Sequence, residues 1–154
     1  MITYQVEILN YDLIAEVTPI LIEHYHEIAH YKDIELDVDW DRYLMIQDKG
    51  LLRIITARDD EQLIGYVSWY LAWNPHYSQS LQASQDVLYL HPDHRKGRTG
   101  IRLIKFCEDV LRNEGVQVIY QHAKIDHPVL GKLLTLMGYK PVDTIYARRL
   151  DNGS

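Results

Sequence analysis

The spacing of apolar positions changes along the chain, and each spacing predicts a different element. Alternation over residues 4–9 predicts a first strand, and residues 51–58 and 63–73 form a hairpin pattern around the acidic turn 59–61. Further strands are predicted over residues 81–90, 116–124 and 142–150, and helices over 12–31, 39–49, 99–114 and from Pro128 to Met137. This order of elements predicts an α/β fold with a mixed sheet.

Composition narrows the class of protein. The 154 residues are 47% apolar and 25% charged, which is typical of a globular domain, and we expect a single domain over residues 1–150 with 151–154 as a tail. The net charge of −6 argues against nucleic-acid binding and favours cationic partners. A single cysteine and no apolar segment of membrane-spanning length predict a cytoplasmic protein without disulfides or membrane contact.

The stretch LYLHPDHRKGRTGIRLI, residues 88–104, combines a strand end, a basic glycine-bearing loop and the start of a helix. The first amides of a helix have no partner within the helix, and the helix dipole adds positive charge there, so this arrangement can hold a phosphate group. The stretch matches neither the G-x-G-x-x-G nor the P-loop pattern. A solvated basic turn is the alternative interpretation of these residues alone.

This stretch resembles the acetyl-coenzyme A signature of the GNAT (GCN5-related) N-acetyltransferases, in which a strand and a V-x-P-like turn lead to [QR]-x-x-G-x-[GA] and a helix. The similarity extends over nearly the whole chain: the order of elements agrees, GYV at 65–67 falls on the family's third strand, and LLTLMGYKPVDTIYARRL resembles the family's ending. HYHEIAHY, NPHY and HPDHRKGRTG resemble small phage and bacterial members. The resemblance implies the GNAT fold, a mostly antiparallel mixed sheet of about six to seven strands with about four helices.

The resemblance also implies acetyl-coenzyme A as co-substrate and a set of residues that bind it. Main-chain groups of Leu88 and Leu90 would meet the pantetheine arm, and the amides of the following loop would hold the pyrophosphate. The predicted cofactor-binding residues are Leu88, Leu90, Arg95, Lys96, Gly97, Arg98, Thr99 and Gly100.

The sequence departs from the family pattern in two places. Arg98 stands where the first signature glycine is expected, so either Gly97 takes that role in a shifted loop or the Arg98 side chain covers the phosphates. Leu134 stands where the family has a tyrosine that protonates the leaving thiolate. Tyr120, Tyr139 or Tyr146 can substitute for that tyrosine, or the thiolate leaves without help, because its conjugate acid has a pKa of about 8.5–10.

Two carboxylates are candidate general bases for deprotonating an amine. Asp86 lies in mid-strand, where acidic residues are disfavoured, and related enzymes carry a carboxylate near this position. Glu27 lies at the border of the apolar stripe of the first helix, where it can reach a cleft. Both residues also have a plain structural interpretation, as a solvated strand residue and a boundary glutamate. His76 and Tyr77, in the loop before the strand, are candidate acceptor-binding residues.

HEIAH, residues 26–30, matches the H-E-x-x-H motif of zinc proteases. Helical geometry places His26 and His30 almost opposite the apolar stripe, and no third ligand follows at a recognised spacing. We therefore predict a solvated histidine face and no metal site. Cys107 lies on an apolar helix face, so we expect a buried thiol and no covalent acetyl-cysteine step.

The sequence thus predicts an enzyme that transfers acetyl from acetyl-coenzyme A directly to a primary amine in a ternary complex. The acceptor stays open among polyamines, amino sugars, antibiotics and protein lysines, and a homodimer is left open as well. Two alternatives remain. One is a catalytically weak interaction protein with the same fold, for example a phage protein acting on a host protein, and the other is a transferase for longer acyl chains.

Overall fold

The computed structural model describes residues 1–151, and its elements follow the predicted order. The strands are β1 (Ile2–Glu7), β2 (Leu52–Asp59), β3 (Gln62–Asn74), β4 (Tyr77–Leu90) and β5 (Val118–Tyr120), and the helices are α1 (Tyr11–Ile28), α2 (Trp40–Asp48), α3 (Thr99–Asn113) and α4 (Val129–Leu136). A short 3-10 helix, Pro92–His94, precedes α3. Asn10 and Asp39 cap α1 and α2 by accepting amide hydrogen bonds in the first turn.

The strands form one sheet in the order β1-β2-β3-β4-β5. All neighbours are antiparallel except β4 and β5, which are parallel, so the sheet is mixed and mostly antiparallel as expected. The sheet has five strands among the described residues rather than six to seven. The missing strand is the predicted closing strand over residues 142–150, which forms no ladder.

The sheet carries apolar layers on both faces. On one face, Trp69 of β3 packs with Leu103, Cys107 and Leu111 of α3, and all four are essentially inaccessible to solvent. On the other face, α1 contributes Leu13 and Val17, and aromatic residues of α2 pack beside them. The helical spacing of apolar residues in α1 and α3 is therefore explained by burial against the two faces of the sheet.

The chain divides into two compact units, Met1–His122 and the remainder from Ala123. The first unit contains the whole sheet with α1, α2 and α3. The second contains α4, whose C-terminal turn closes when the Tyr139 amide donates to the Leu134 carbonyl and Gly138 adopts a φ of +95°. A single domain over residues 1–150 stays a prediction, and residues 152–154 of the predicted tail lie outside the described residues.

Residues 142–150, predicted as a closing strand from their alternating apolar and polar side chains, do not form a strand. In residues 142–150 the apolar side chains of Val142, Ile145, Tyr146 and Leu150 are exposed by 70% or more. Alternation predicts a strand because one face becomes buried and the backbone pairs with a neighbour, and neither condition holds for this segment. No helix among residues 1–151 has the length and hydrophobicity that crossing a bilayer requires.

Candidate active site

Asp86 occupies a β-bulge in the middle of β4. Ser68 of β3 pairs with Val87 and the next residue, Trp69, pairs with Gln85, so Asp86 has no partner in the ladder. A bulge inserts one residue, bends the strand and redirects a side chain. This local geometry explains how β4 accommodates an acidic residue that strand propensity disfavours.

Asp86 is half-buried and is held by uncharged donors from two other elements. The Tyr43 hydroxyl of α2 donates to Asp86 Oδ2 at 2.5 Å, and the Ser68 hydroxyl donates to the same oxygen at 3.0 Å. Ser68 Oγ also accepts the amide hydrogen of Val87, which fixes the serine beside the bulge. No lysine, arginine or histidine within residues 1–151 forms an ion pair with this carboxylate.

Two tyrosines beside Asp86 are held in their protonated form. Burial, and then the hydrogen bond to Asp86, raises the pKa of Tyr43 far above its ordinary value. Burial, and then the negative charge of Asp86, raises the pKa of Tyr66 in the same direction. Both hydroxyls therefore keep their protons throughout the working pH range, and neither is suited to give up its proton to a leaving thiolate.

Beyond the middle of β4, the strands β4 and β5 separate, and we call the opening between them the fork. The parallel pairing with β5 covers only Gln82–Ser84, and the predicted strand over 116–124 is correspondingly short. Immediately past this pairing, the His122 amide donates to the buried Gln85 side chain at 3.1 Å instead of to a strand carbonyl. Residues 86–90 of β4 therefore have no strand on this edge within the described part of the chain.

Main-chain groups of Leu88 and Leu90 point into the fork. The His91 amide donates to the Ile64 carbonyl at 2.7 Å, which marks this pair as hydrogen-bonded. Hydrogen-bonded and non-hydrogen-bonded pairs alternate in an antiparallel ladder. The pairs Gly65 with Leu90 and Val67 with Leu88 are therefore non-hydrogen-bonded, and the amides of both leucines face away from β3. This is the orientation that the two leucines need to contact a pantetheine arm.

Gly65 is needed for the close approach of β3 to β4 at the mouth of the fork. A Cβ atom at this position would lie 2.7 Å from the Tyr89 carbonyl oxygen and 2.9 Å from Leu90 Cδ1. Both distances are shorter than side chains tolerate, so the glycine of the GYV segment allows the two strands to pair up to the end of β4.

A row of free amides follows the fork. Within residues 1–151 no protein acceptor takes the amide hydrogens of residues 96–101, whereas the next amide, that of Arg102, bonds the Arg98 carbonyl at 2.9 Å. Lys96, Gly97 and Arg98 are exposed and precede the first turn of α3, a helix of 15 residues. Free amides, the helix dipole and cationic side chains together fit a pyrophosphate group.

The backbone of the phosphate loop turns at Gly97 and not at Arg98, where the signature glycine is expected. Gly97 has a φ of +127°, in the region that only glycine enters readily, while Arg98 has an ordinary φ of −99°. This turn is compatible with the shifted-loop explanation, and the role of the Arg98 side chain toward the phosphates stays a prediction. Arg98 occupies the N-cap position without a side-chain capping bond.

Glu27 and Arg95, which the sequence assigned to different roles, form an ion pair. The Arg95 guanidinium binds the Glu27 carboxylate through two nitrogens at 2.9 and 3.2 Å, and its Nε donates to the Leu90 carbonyl at 2.7 Å. It also lies over the ring of Tyr89. Arg95 thus connects the C-terminal end of α1 with the end of β4. Its contacts are to protein groups, unlike those of a residue free to bind phosphate.

His76 and Tyr77 lie at the other end of β4. His76 is in the turn of the β3–β4 hairpin. The Asn74 side-chain oxygen accepts the amide hydrogens of both His76 and Tyr77. Tyr77 begins β4, nine residues from Asp86, which corresponds to roughly 30 Å along a strand. The structure does not bring these two residues to the fork, and their role in acceptor binding stays a prediction.

The H-E-x-x-H segment does not build a metal site. α1 ends at Ile28, so His30 lies outside the helix that the motif requires to align its two histidines. No group of three or more histidine, cysteine or carboxylate side chains within residues 1–151 is arranged to hold a metal ion.

The structure adds three residues that the sequence did not single out, Tyr43, Ser68 and Tyr66. Tyr43 belongs to α2, and Ser68 and Tyr66 lie on one face of β3. In the sequence, the one signal for Ser68 and Tyr66 is that they alternate on a strand that pairs with the strand carrying Asp86. Recognising that they lie near Asp86 requires the register of the two strands, and the bulge shifts that register.

Comparison with known families identifies the chain. The sequence pattern of the Acetyltransferase (GNAT) family matches residues 14–139. The chain therefore belongs to the GNAT acetyltransferase family. No curated protein matches the chain.

Solved structures with the same fold are distant in sequence. A ribosomal-protein-alanine N-acetyltransferase from Brucella melitensis biovar Abortus 2308 is 18% identical, with a TM-score of 0.74 over 98% of this chain and 100% of the other. An aminoglycoside acetyltransferase from an uncultured soil metagenomic sample is 12% identical, with a TM-score of 0.76 over 98% and 99%. A predicted acetyltransferase with acetyl-CoA from Clostridium acetobutylicum is 14% identical, with a TM-score of 0.71 over 97% of each chain. At these identities the likeness establishes the fold.

Proposed function

We propose that this protein is an acetyltransferase that moves an acetyl group from acetyl-coenzyme A directly to a primary amine. The observation that carries the proposal is the row of free amides over residues 96–101, which directly follows the open edge of β4. The amides and exposed cations hold the pyrophosphate, and the outward amides of Leu88 and Leu90 bind the pantetheine arm. Acetyl-coenzyme A is the co-substrate, and we expect the reaction to take place in the cytoplasm.

Asp86 is the general base of the proposed reaction. An alkylammonium has a pKa of about 10, so the acceptor must lose a proton before its nitrogen can attack the acetyl carbon. Tyr43 and Ser68 already donate to Oδ2, which leaves Oδ1 to take this proton, directly or through water. Glu27, bound to Arg95 through both oxygens, is less available for this role.

The remaining steps need little from the protein. When the amine nitrogen bonds to the acetyl carbon, an oxyanion forms, and the outward amide of Leu90 is a donor at the end of the fork. Collapse of this intermediate breaks the carbon–sulfur bond, and the second proton that the nitrogen loses as the amide forms passes to the released thiolate of coenzyme A, directly or through a protein group. Tyr120 is the last residue of β5 at the fork and is the candidate donor within the first unit.

Coenzyme A binding tests the cofactor site. We expect coenzyme A to raise the melting temperature without added metal, and Gly100→Val to abolish this shift while the variant stays folded, because a branched side chain would enter the phosphate loop. Wild-type affinity in a folded Gly100→Val protein would place the phosphates elsewhere. Release of free thiol with a library of amines and acyl-coenzyme A donors then tests transfer and chain-length preference. Binding without any turnover would favour the catalytically weak interaction protein.

A further inference from the structure

The surroundings of Asp86 indicate what kind of acceptor the site takes. This half-buried carboxylate receives hydrogen bonds from hydroxyl groups, and within residues 1–151 it has no cationic partner. Hydroxyl donors orient an ionised carboxylate but leave its charge uncompensated. A partly desolvated negative charge attracts a cation more strongly than an exposed one does, because less water screens it.

A small cavity adjoins Asp86 and has the lining that suits an ammonium group. Its volume is about 20 Å³, and aliphatic side chains form about half of its wall. The rest consists of the aromatic residues Trp40, Tyr43 and Tyr66 with Ser68 and Asp86. The Tyr66 side chain is only 4% exposed, and its hydroxyl has no hydrogen-bond partner among the described residues. An ammonium head, similar in size to a water molecule, can donate to both the Tyr66 oxygen and the carboxylate.

The segment that leads to this cavity is strongly acidic. Residues 33–41 read DIELDVDWD, with an acid at every second position and no basic residue. Asp33, Glu35, Asp37, Asp39 and Asp41 are all exposed. The nearest basic residues in the chain are Lys32 and Arg42, one at each end, so five acids stand against two cations.

Chain connectivity places this acidic segment beside the cavity. Trp40, which lines the cavity, lies between Asp39 and Asp41, and its ring packs against that of Tyr43 at 5.6 Å. Asp37 is three residues from Trp40 and so lies within roughly 11 Å of it along the backbone. This distance is close to the screening length of about 8–10 Å at physiological salt, so the segment's charge reaches the cavity.

We propose that the acceptor is a linear polyamine. This inference rests on the proposed function. The terminal ammonium of the polyamine enters the cavity beside Asp86, and its remaining positive charges lie along residues 33–41. An acidic approach to a carboxylate site concentrates cations and raises their association rate, by one to three orders of magnitude in strongly steered cases. An amine with a single charge gains less from this field.

Steady-state kinetics with amines of increasing charge test this proposal. The probes are propylamine, 1,4-diaminobutane and spermidine, each at low salt and at physiological salt, with glucosamine and a lysine-rich peptide as comparison acceptors. We expect kcat/KM to rise about tenfold or more from propylamine to spermidine at low salt, and the ratio to shrink as salt is added. Equal values for the three amines, or a preference for glucosamine, would overturn the proposal. A lysine-rich peptide used at least tenfold better than spermidine would also overturn it, in favour of a protein acceptor.

A charge-matched pair of variants locates the effect. Glu35→Gln/Asp37→Asn removes two charges from the acidic segment, and Asp12→Asn/Glu61→Gln removes two exposed charges from α1 and the β2–β3 turn. We expect the first pair to lower kcat/KM for spermidine about three- to tenfold and for propylamine by less than twofold. The second pair should change neither substrate. Equal losses of kcat/KM for spermidine in both variants would show that only the net charge of the protein affects the reaction, which contradicts a local polyamine site.

A binding measurement separates this proposal from the proposed function. Calorimetry of spermidine with the protein saturated by coenzyme A needs no turnover. Binding that weakens in Glu35→Gln/Asp37→Asn supports the polyamine site even if no amine is acetylated, in which case the transfer reaction is wrong. Turnover of other amines without spermidine binding overturns the polyamine site and leaves the transfer reaction standing.

Discussion

Asp86 and Glu27 are two carboxylates that sequence reasoning treated as equivalent candidates, and the structure gives them opposite surroundings. Asp86 is half-buried in a bulge of β4 and accepts bonds from the hydroxyls of Tyr43 and Ser68. Glu27 is 40% exposed at the end of α1 and is bound through both oxygens to Arg95. A carboxylate held only by neutral donors has no cation beside it and can receive a substrate ammonium, whereas one held by a guanidinium already has its charge compensated.

Replacing Asp86 should have the largest effect. Asp86→Asn preserves shape and removes basicity, so turnover should fall by about 10²–10⁴ while coenzyme A affinity stays unchanged. Activity should recover in part at high pH, where the amine loses its proton unaided. Thiol release measured from neutral to alkaline pH checks this. A loss of less than about threefold would assign proton removal to solvent or a tyrosine.

Tyr43→Phe should have an intermediate effect on turnover. It removes the donor 2.5 Å from Asp86 Oδ2 but keeps the aromatic packing against Trp40. Hydrogen bonds to charged groups contribute about 1.5–3 kcal/mol, so a loss of turnover of about 10- to 100-fold is expected if this bond holds Asp86 in its reactive position. Ser68→Ala should act in the same direction with a smaller effect. Turnover within about threefold of wild type in both variants would limit these residues to packing.

Glu27→Gln should leave turnover within about threefold of wild type. Loss of the Glu27 charge frees the Arg95 guanidinium beside the phosphate loop, so coenzyme A should bind about two- to fivefold more tightly, the modest effect expected of a partly exposed ion pair. Calorimetry measures the coenzyme A affinity of the variant, and thiol release across pH measures its turnover. A hundredfold loss of turnover with recovery at high pH would make Glu27 the base and reverse the comparison.

Glu7 is a third carboxylate, with a structural role, and its replacement should have the smallest effect on turnover. Burial raises the pKa of Glu7, but hydrogen bonds from Arg58 and Thr56 outweigh it and the net direction is downward. A lowered folded-state pKa stabilises the fold above the ordinary value of 4.5, and this contribution disappears as pH falls through the lowered value. Glu7→Gln should cost about 1 kcal/mol at neutral pH and nothing in strong acid, as denaturant unfolding at both pH values would show.

The contiguous part of the site could be predicted from the sequence, and the assembled part could not. The cofactor loop is one stretch of chain, so residue types and order were enough to place Gly97 and the free amides before α3. The pairing of Glu27 with Arg95 joins residues 68 positions apart, and the contact of Tyr43 with Asp86 joins residues 43 apart. Contacts between residues so far apart in the chain produce no periodic pattern in the sequence from which they could be predicted.

The fold shows the same division between local and distant information. Helix ends and the hairpin are set by nearby residues and were predicted to within a few positions. The strand over 142–150 was wrong because alternation does not reveal whether a partner strand is available, and the length of β5 depends on where β4 diverges from it. The bulge at Asp86 likewise depends on the register of two strands.

The burial of Cys107 has a practical consequence for thiol chemistry. The side chain is inaccessible to solvent, and burial raises the pKa of its thiol to about 12, so the reactive thiolate is scarce at neutral pH. A disulfide reagent added to the folded protein should therefore detect only the coenzyme A released by turnover, with no background from the enzyme. Because this is the chain's one cysteine, the same reagent in denaturant should report a single thiol per molecule and so follow global opening of the core.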